Sequence, residues 1–96
     1  MVSFAEIKNH RDEILVIAGK YGIHNVRVFG SVARGEQSED SDLDLVVTMD
    51  KDRSLLDRIG FMQDVEDLLH IKVDVVNENA LHELIRESVL QEGVEL

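Results

Sequence analysis

The sequence FGSVARG at residues 29–35 and the sequence SDLDL at residues 41–45 decide how the fold and the function of this chain are interpreted. Gly30 and Ser31 follow a β-branched run, at a point where a strand is expected to turn into a short helix. Backbone N–H groups at such a turn point outward and favour a bound anion. The first stretch therefore predicts a phosphate-binding turn, although a Gly-Ser pair by itself is also a common helix cap.

Three aspartates predict a cation site next to this turn. Asp42 and Asp44 are two residues apart at the start of an expected strand, so their side chains leave the same face and can share a hard cation. Asp74 interrupts the apolar run IKVDVV at residues 71–76, where a charge is costly unless it is paired or bound to metal. The alternative is that Asp74 faces water on an edge strand. We expect the three carboxylates to converge beside Gly30.

Two better-known motifs resemble this region but do not fit it. The span from Gly30 to Gly35 has the spacing of a P-loop, but Glu36 and Gln37 stand where Lys and Ser or Thr are required. The aspartates imitate the first ligands of an EF-hand, yet Leu45 replaces the turn glycine and Lys51 replaces the final glutamate. Neither a Walker motif nor a calcium-sensing loop is predicted.

Hydrophobic periodicity predicts a small α/β protein with the element order α-β-α-β-α-β-α. A capping box at Ser3 and Glu6 starts a helix over about residues 4–20, and Ser54 starts another that ends near His70. A last amphipathic helix precedes Gly93, and a short helix is expected between the first two strands. The three strands are expected at 25–29, 43–49 and 71–76. No linker interrupts the pattern, so residues 1–96 are expected to form one domain.

The composition limits the classes of partner. The chain has 10 basic and 20 acidic residues and a formal charge of −10, so nonspecific binding to nucleic acid is not expected. It contains no cysteine, which excludes disulfides and thiolate zinc sites. No apolar run is long enough to cross a bilayer and no secretory signal is visible, so we expect a cytoplasmic protein without membrane contact.

The spacing of these groups resembles a known superfamily. Gly30-Ser31, ten intervening residues, Asp42-x-Asp44 and a later strand aspartate are similar to the signature of the DNA-polymerase-β-like nucleotidyltransferases. Within that superfamily, the short chain, FGSVARG, SDLDL and the VDVV strand at residues 73–76 resemble the minimal nucleotidyltransferases. The resemblance spans most of the chain and implies a mixed-sheet nucleotidyltransferase fold.

The resemblance also implies the chemistry of the site. Asp42 and Asp44 would hold two Mg²⁺ ions, with Mn²⁺ as a substitute, and Asp74 would bind the ion that activates an acceptor hydroxyl. Two metal ions can stabilise the entering and leaving oxygens of a displacement at phosphorus, which explains how so small a chain could suffice.

The phosphate side of the site follows from the same resemblance. Gly30 and Ser31 would hold the triphosphate of ATP. Arg34 would offset phosphate charge, or would instead form a helix-end salt bridge with Glu36 or Glu39.

The resemblance further implies a partner. Minimal nucleotidyltransferases are typically the antitoxin half of a type VII-like toxin–antitoxin pair whose toxin is a HEPN-domain ribonuclease. We therefore expect AMP transfer from ATP to a hydroxyl of that toxin, most simply a tyrosine, within a hetero-oligomer. Two alternatives stay open: an antitoxin that only occludes the toxin, and nucleotidyl transfer to a small-molecule hydroxyl. Tyr21, the only tyrosine of the chain, is a further conceivable acceptor.

Overall fold

The computed structural model of the chain describes residues 3–30, 35, 42–81 and 83–96. The short helix expected between the first two strands lies outside these residues. No helix within the described ranges is long and apolar enough to cross a membrane. The elements are α1 (Phe4–Asn9), α2 (Arg11–Lys20), β1 (Ile23–Phe29), β2 (Leu43–Met49), α3 (Leu55–Leu69), β3 (Val73–Asn77), a 3-10 turn (Glu78–Ala80), α4 (Glu83–Glu92) and β4 (Val94–Glu95).

The strands form a mixed sheet, which confirms the expected α/β class. Over the described part of the chain, the strand order is β3-β2-β1-β4. Strand β2 pairs antiparallel with β1 and parallel with β3, and β4 pairs antiparallel with β1. The parallel step from β2 to β3 is made through α3, because a parallel pair needs a crossover connection. Strand β3 therefore lies at one edge of the sheet.

The hydrophobic core lies between the helices and one face of this sheet. Leu43, Leu45 and Val47 alternate along β2 and are fully buried. Helix α3 contributes Phe61 and Val65, which are one turn apart and also fully buried. Burying side chains of this size stabilises a fold by roughly 1.5–3 kcal/mol each. The core thus fixes the sheet face that points inward, and Asp44 lies on the opposite face of β2.

The first helix differs from its prediction, because it is two helices that meet at His10. The N–H of His10 bonds to the carbonyl of Ile7 at 3.1 Å, which is the tighter spacing of a helix end. The carbonyl of His10 accepts from the N–H of Ile14, and this is the first backbone hydrogen bond of α2. The sequence signal for this second start is the acidic pair Asp12 and Glu13, because carboxylates favour the first turn of a helix.

Strand β1 begins two residues earlier than predicted and contains an irregularity. The register with β2 shifts between His24 and Arg27, and Asn25 has a positive φ of 51°. An unbroken strand would send Ile23 and Val26 to opposite faces, yet both are buried. The extra residue of the bulge turns both inward. Strand β3 likewise runs over Val73–Asn77, not the predicted 71–76, because α3 ends in a left-handed residue at position 70.

Strand β4 was not predicted. Val94–Glu95 pairs with β1, and the N–H of Leu96 donates to the carbonyl of Val26 at 2.9 Å. The Nε of Arg11 donates to the carbonyl of Leu96 at 2.8 Å. Two residues are too few for an alternating pattern to be visible in a sequence, so only the pairing with β1 identifies this strand.

Tyr21 connects the end of α2 to α3. Its hydroxyl donates to Oδ2 of Asp64 at 2.8 Å, and the Nζ of Lys20 lies 3.7 Å from the same oxygen. The ring packs against Gly60, where an added Cβ would lie 2.6 Å from a ring carbon. The hydrogen bond to Asp64, followed by desolvation, raises the pKa of Tyr21 above its ordinary value of 10.0. The neutral phenol is therefore the form that the folded protein favours.

We predict that the phenol ionises at a higher pH in the folded protein than in the unfolded chain. Stability from the Tyr21–Asp64 bond is then complete below the unfolded pKa of about 10 and is lost as the pH rises through the folded pKa. Tyrosinate absorbance measures this directly, because the chain has one tyrosine and no tryptophan. Asp64→Asn should lower the midpoint, and an unchanged midpoint in that variant would contradict the assigned cause.

Candidate active site

Two of the predicted carboxylates lie side by side on neighbouring strands. In the parallel pairing of β2 with β3, Asp44 is directly opposite Asp74. Partners in such a register point to the same face of the sheet, and neighbouring strands are about 4.8 Å apart. Asp44 is partly buried and Asp74 is exposed. The structure thus has Asp74 exposed on an edge strand, opposite Asp44, and its role as a metal ligand stays a prediction.

Gly30 adjoins this pair. Phe29, the last residue of β1, pairs with Asp44, and Gly30 follows with a positive φ of 79°. A Cβ at Gly30 would lie 2.5 Å from Oδ2 of Asp44, closer than real Cβ contacts occur. Glycine is required here for two reasons, since it permits the left-handed backbone and it lets the carboxylate approach the chain.

Asp42 lies one residue before β2, two positions from Asp44, and is partly buried. The alternation of a strand assigns it to the same side as Asp44. Among the residues for which the structure is described, no group of three or more His, Cys, Asp or Glu side chains is placed so that it could hold a metal ion. The register thus brings Asp44 and Asp74 to neighbouring positions, and the convergence of all three carboxylates stays a prediction.

Carboxylate oxygens on two adjacent strands suit a hard cation, because Mg²⁺ takes oxygen ligands and keeps several waters. The donor chemistry of Asp44 and Asp74 fits such an ion. The other two predicted binding residues, Ser31 and Arg34, fall in the part of the chain for which no structure is described.

A cationic cluster that was not foreseen from the sequence lies on the same sheet face. Arg27 pairs with Val46, two residues along β2 from Asp44, and therefore shares its face. Its Nη1 is 3.2 Å from Oε2 of Glu78, and Nη2 of Arg86 is 3.9 Å from Oε1 of that residue. The two guanidinium groups thus share the Glu78 carboxylate, and Glu95 of β4 lies opposite Arg27 in the register. The alternation of side chains along β1 assigns Arg27 to the same face as Phe29, and this is the sequence signal for Arg27. It does not reveal Arg86.

The comparisons with known proteins agree with this geometry. Residues 12–96 match the family described as Polymerase beta, Nucleotidyltransferase. The chain belongs to this nucleotidyltransferase family. Protein adenylyltransferase MntA of Thermococcus cleftensis is 36% identical over 98 residues, covering 98% of this chain and 96% of the relative. A solved minimal nucleotidyltransferase is 42% identical with a TM-score of 0.90, covering 99% of this chain and 97% of that one. The resemblance seen in the sequence is confirmed, and the chain is a nucleotidyltransferase.

More distant solved structures share the fold. A toxin–antitoxin crystal structure with AMP-PNP has a TM-score of 0.74 at 21% identity, covering 88% of this chain and 69% of that one. A complex of the tri-AMPylated HEPN toxin of Shewanella oneidensis with its antitoxin has a TM-score of 0.68 at 17% identity, covering 92% of this chain and 69% of that one. At these identities the similarity concerns the fold.

Substitution of Gly30 provides a test of its contact with Asp44. Gly30→Ala should lower the free energy of unfolding by more than the roughly 1–2 kcal/mol that a left-handed alanine costs, because the new methyl group also displaces the carboxylate. Gly35→Ala is the matched control: Gly35 has a φ of 73°, and none of the residues that the structure describes lies within 4 Å of an added Cβ. Urea unfolding of both variants measures the difference. Equal losses would mean that the contact with Asp44 does not constrain position 30.

Proposed function

We propose that this chain transfers AMP from ATP to a tyrosine hydroxyl of a HEPN-domain toxin, with which it forms a complex, and that the transfer inactivates the toxin. The observation that carries the proposal is the register of Asp44 beside Asp74, next to Gly30, in a nucleotidyltransferase chain that is 36% identical to a protein adenylyltransferase. The HEPN toxin is suggested by a distant relative of the same fold that is complexed with an AMPylated toxin.

Three aspartates take the catalytic roles in this proposal. Asp42 and Asp44 would hold both Mg²⁺ ions, for which Mn²⁺ can substitute, and Asp74 would hold the ion on the acceptor side. When bound, these ions neutralise phosphate charge and lower the pKa of an oxygen that they contact. The phosphate oxygens of the nucleotide would supply further ligands to these ions.

The reaction needs little covalent chemistry from the protein. The acceptor oxygen forms a bond to the α-phosphorus of ATP while the bond from that phosphorus to the bridging oxygen breaks. Pyrophosphate leaves with the bonding electrons, and the hydroxyl proton passes to Asp74 or to water. Such a displacement depends mainly on positioning and on compensation of charge.

The phosphate groups require donors and positive charge. Gly30 and Ser31 would supply backbone N–H groups to the triphosphate, and Arg34 would compensate part of its charge. Arg27 shares the sheet face of Asp44, and Arg86 lies beside Glu78, the residue that Arg27 also contacts. We add these two arginines as candidates for contact with the nucleotide.

The exposure of Asp74 favours a macromolecular acceptor. The residue is solvent-exposed on the outermost strand of the described sheet, so the acceptor side of the site is open. A second protein can bring a hydroxyl to this side and exclude water from it. The formal charge of −10 would attract the basic surface with which a ribonuclease binds RNA, and would speed their encounter in the cytoplasm.

An antitoxin that only occludes its toxin is the alternative function. It requires no carboxylates in register on adjacent strands, and the repulsion between Asp44 and Asp74 would then be a cost without a benefit. Transfer to a small-molecule hydroxyl is a second alternative. It is less favoured because Asp74 is exposed, so the described residues do not enclose a small acceptor there.

We predict that Mg²⁺ together with ATP raises the melting temperature, because a ligand that binds the folded state stabilises it. At ten times its dissociation constant, the ligand would add about 1.4 kcal/mol, or roughly 6–11 °C for a chain of this size. Calorimetry measures the shift. ATP with a chelator should give a much smaller shift, and so should Asp44→Asn with Mg²⁺. A melting temperature that ignores millimolar Mg²⁺ and ATP would contradict the metal site.

Transfer itself is tested with a cognate HEPN toxin. Incubation of the toxin with this protein, ATP and Mg²⁺ should add one or more units of about 329 Da, the mass of an adenylyl group added to a hydroxyl. Intact-mass spectrometry detects the adduct, and peptide mapping identifies the tyrosine.

Asp42→Asn and Asp44→Asn are the control variants, because each keeps the side-chain volume and removes the charge. Both should abolish the adduct while the circular dichroism spectrum stays unchanged. If the toxin remains unmodified but is still neutralised, also by these variants, the occluding function is correct and the catalytic proposal is wrong.

A further inference from the structure

The outer edge of β3 is occupied by side chains of α3. The carbonyl of Lys72 accepts from the N–H of Leu43, so this carbonyl faces β2. Strand geometry then turns the N–H of Val73 and the carbonyl of Val75 away from β2. At the edge of a sheet these groups lack a partner strand, and they would be left to solvent or to another chain.

Two charged residues of α3 bind these two groups. Oε2 of Glu66 accepts from the N–H of Val73 at 2.9 Å, and Nη1 of Arg58 donates to the carbonyl of Val75 at 2.6 Å. Both bonds are partly buried. Each has one ionised partner, and such bonds are shorter and stronger than neutral ones. The two bonds thus clamp β3 to α3 on both sides of residue 74.

Asp74 lies between the two clamped residues. Its backbone is held by the pairing with Asp44 on one edge, and its neighbours are held by Arg58 and Glu66 on the other. The carboxylate itself is exposed, and no described bond involves it. Its direction therefore depends on how firmly the backbone of β3 is fixed. A carboxylate ligand needs such support, because small errors in orientation weaken metal binding.

We propose that Arg58 and Glu66 are positioning residues that hold the Asp74 carboxylate in register with Asp44 for metal binding. They act on the backbone at Val73 and Val75 and touch neither nucleotide nor metal. This inference rests on the proposed function, because it assumes that Asp74 is a metal ligand.

The first experiment measures metal binding without turnover. Binding of Mn²⁺ in the presence of a non-hydrolysable ATP analogue is followed by electron paramagnetic resonance. Glu66→Ala should weaken Mn²⁺ affinity on the order of tenfold, the usual effect of removing support for a ligand. Glu66→Gln keeps an oxygen that can accept from Val73 and should restore most of the affinity. Asp67→Ala removes an exposed neighbouring carboxylate and should leave the affinity unchanged.

Arg58 gives an independent measurement if Glu66→Ala fails to fold. Arg58→Met keeps the aliphatic stem and loses the donor to Val75, so Mn²⁺ affinity should fall, whereas Arg58→Lys should retain part of it. In AMP transfer, Glu66→Ala and Arg58→Met should each raise the Mg²⁺ concentration for half-maximal rate more than they lower the rate at saturating Mg²⁺. A role in stability alone would lower the melting temperature without moving this concentration.

Asp74→Asn separates the two proposals. If it weakens Mn²⁺ binding while Glu66→Ala and Arg58→Met bind Mn²⁺ like the unaltered chain, the positioning role is wrong and the proposed function stands. If Asp74→Asn leaves Mn²⁺ affinity unchanged, Asp74 is not a metal ligand. The positioning role is then wrong, and so is the role of Asp74 in the proposed function. Weakening by Asp74→Asn, Glu66→Ala and Arg58→Met, with Asp67→Ala unaffected, supports the inference.

Discussion

The parallel pairing of β2 with β3 is the constraint on which the site depends. Its register sets Asp44 opposite Asp74. Side chains alternate with a period of two, so a slip of one residue would turn Asp74 to the core face and expose Val73 and Val75. Both valines are buried at 3% exposure or less, and the cost of exposing them opposes the slip. Apolar burial on one face of the strand thus maintains the alignment of charges on the other.

That alignment places two like charges opposite each other. The edge position of Asp74 reduces the resulting electrostatic repulsion. Charges that face each other on adjacent strands destabilise a sheet, but water and ions screen them when one is exposed. Asp74 is exposed, while Asp44 has further interactions within the chain. A more enclosed pair would demand a permanent cation. The open arrangement instead lets the chain fold without a cation between the two carboxylates.

The sequence predicted the parts of the fold that depend on repeated apolar positions. Strand β2 and helix α3 have the expected bounds because each has a long apolar pattern and α3 has a capping serine. The break at His10 follows local hydrogen bonding, and β4 depends on pairing with a distant strand. Within the candidate site, the motif indicated Asp42, Asp44 and Asp74, but a motif does not contain the strand register that sets Asp44 opposite Asp74. Contacts of Arg58 and Glu66 with the β3 backbone leave no pattern in a single sequence, because they join side chains to main-chain atoms.

The length of β1 separates Tyr21 from the candidate active site. Tyr21 precedes the strand and Gly30 follows it, so seven strand residues, which span roughly 23 Å at about 3.3 Å per residue, lie between them. The phenol is also engaged with Asp64. One molecule therefore cannot present its own phenol to Asp44 and Asp74 while folded. Any self-labelling would require two molecules and would rise with the square of protein concentration, which makes the enzyme a poor substrate for itself when it is dilute.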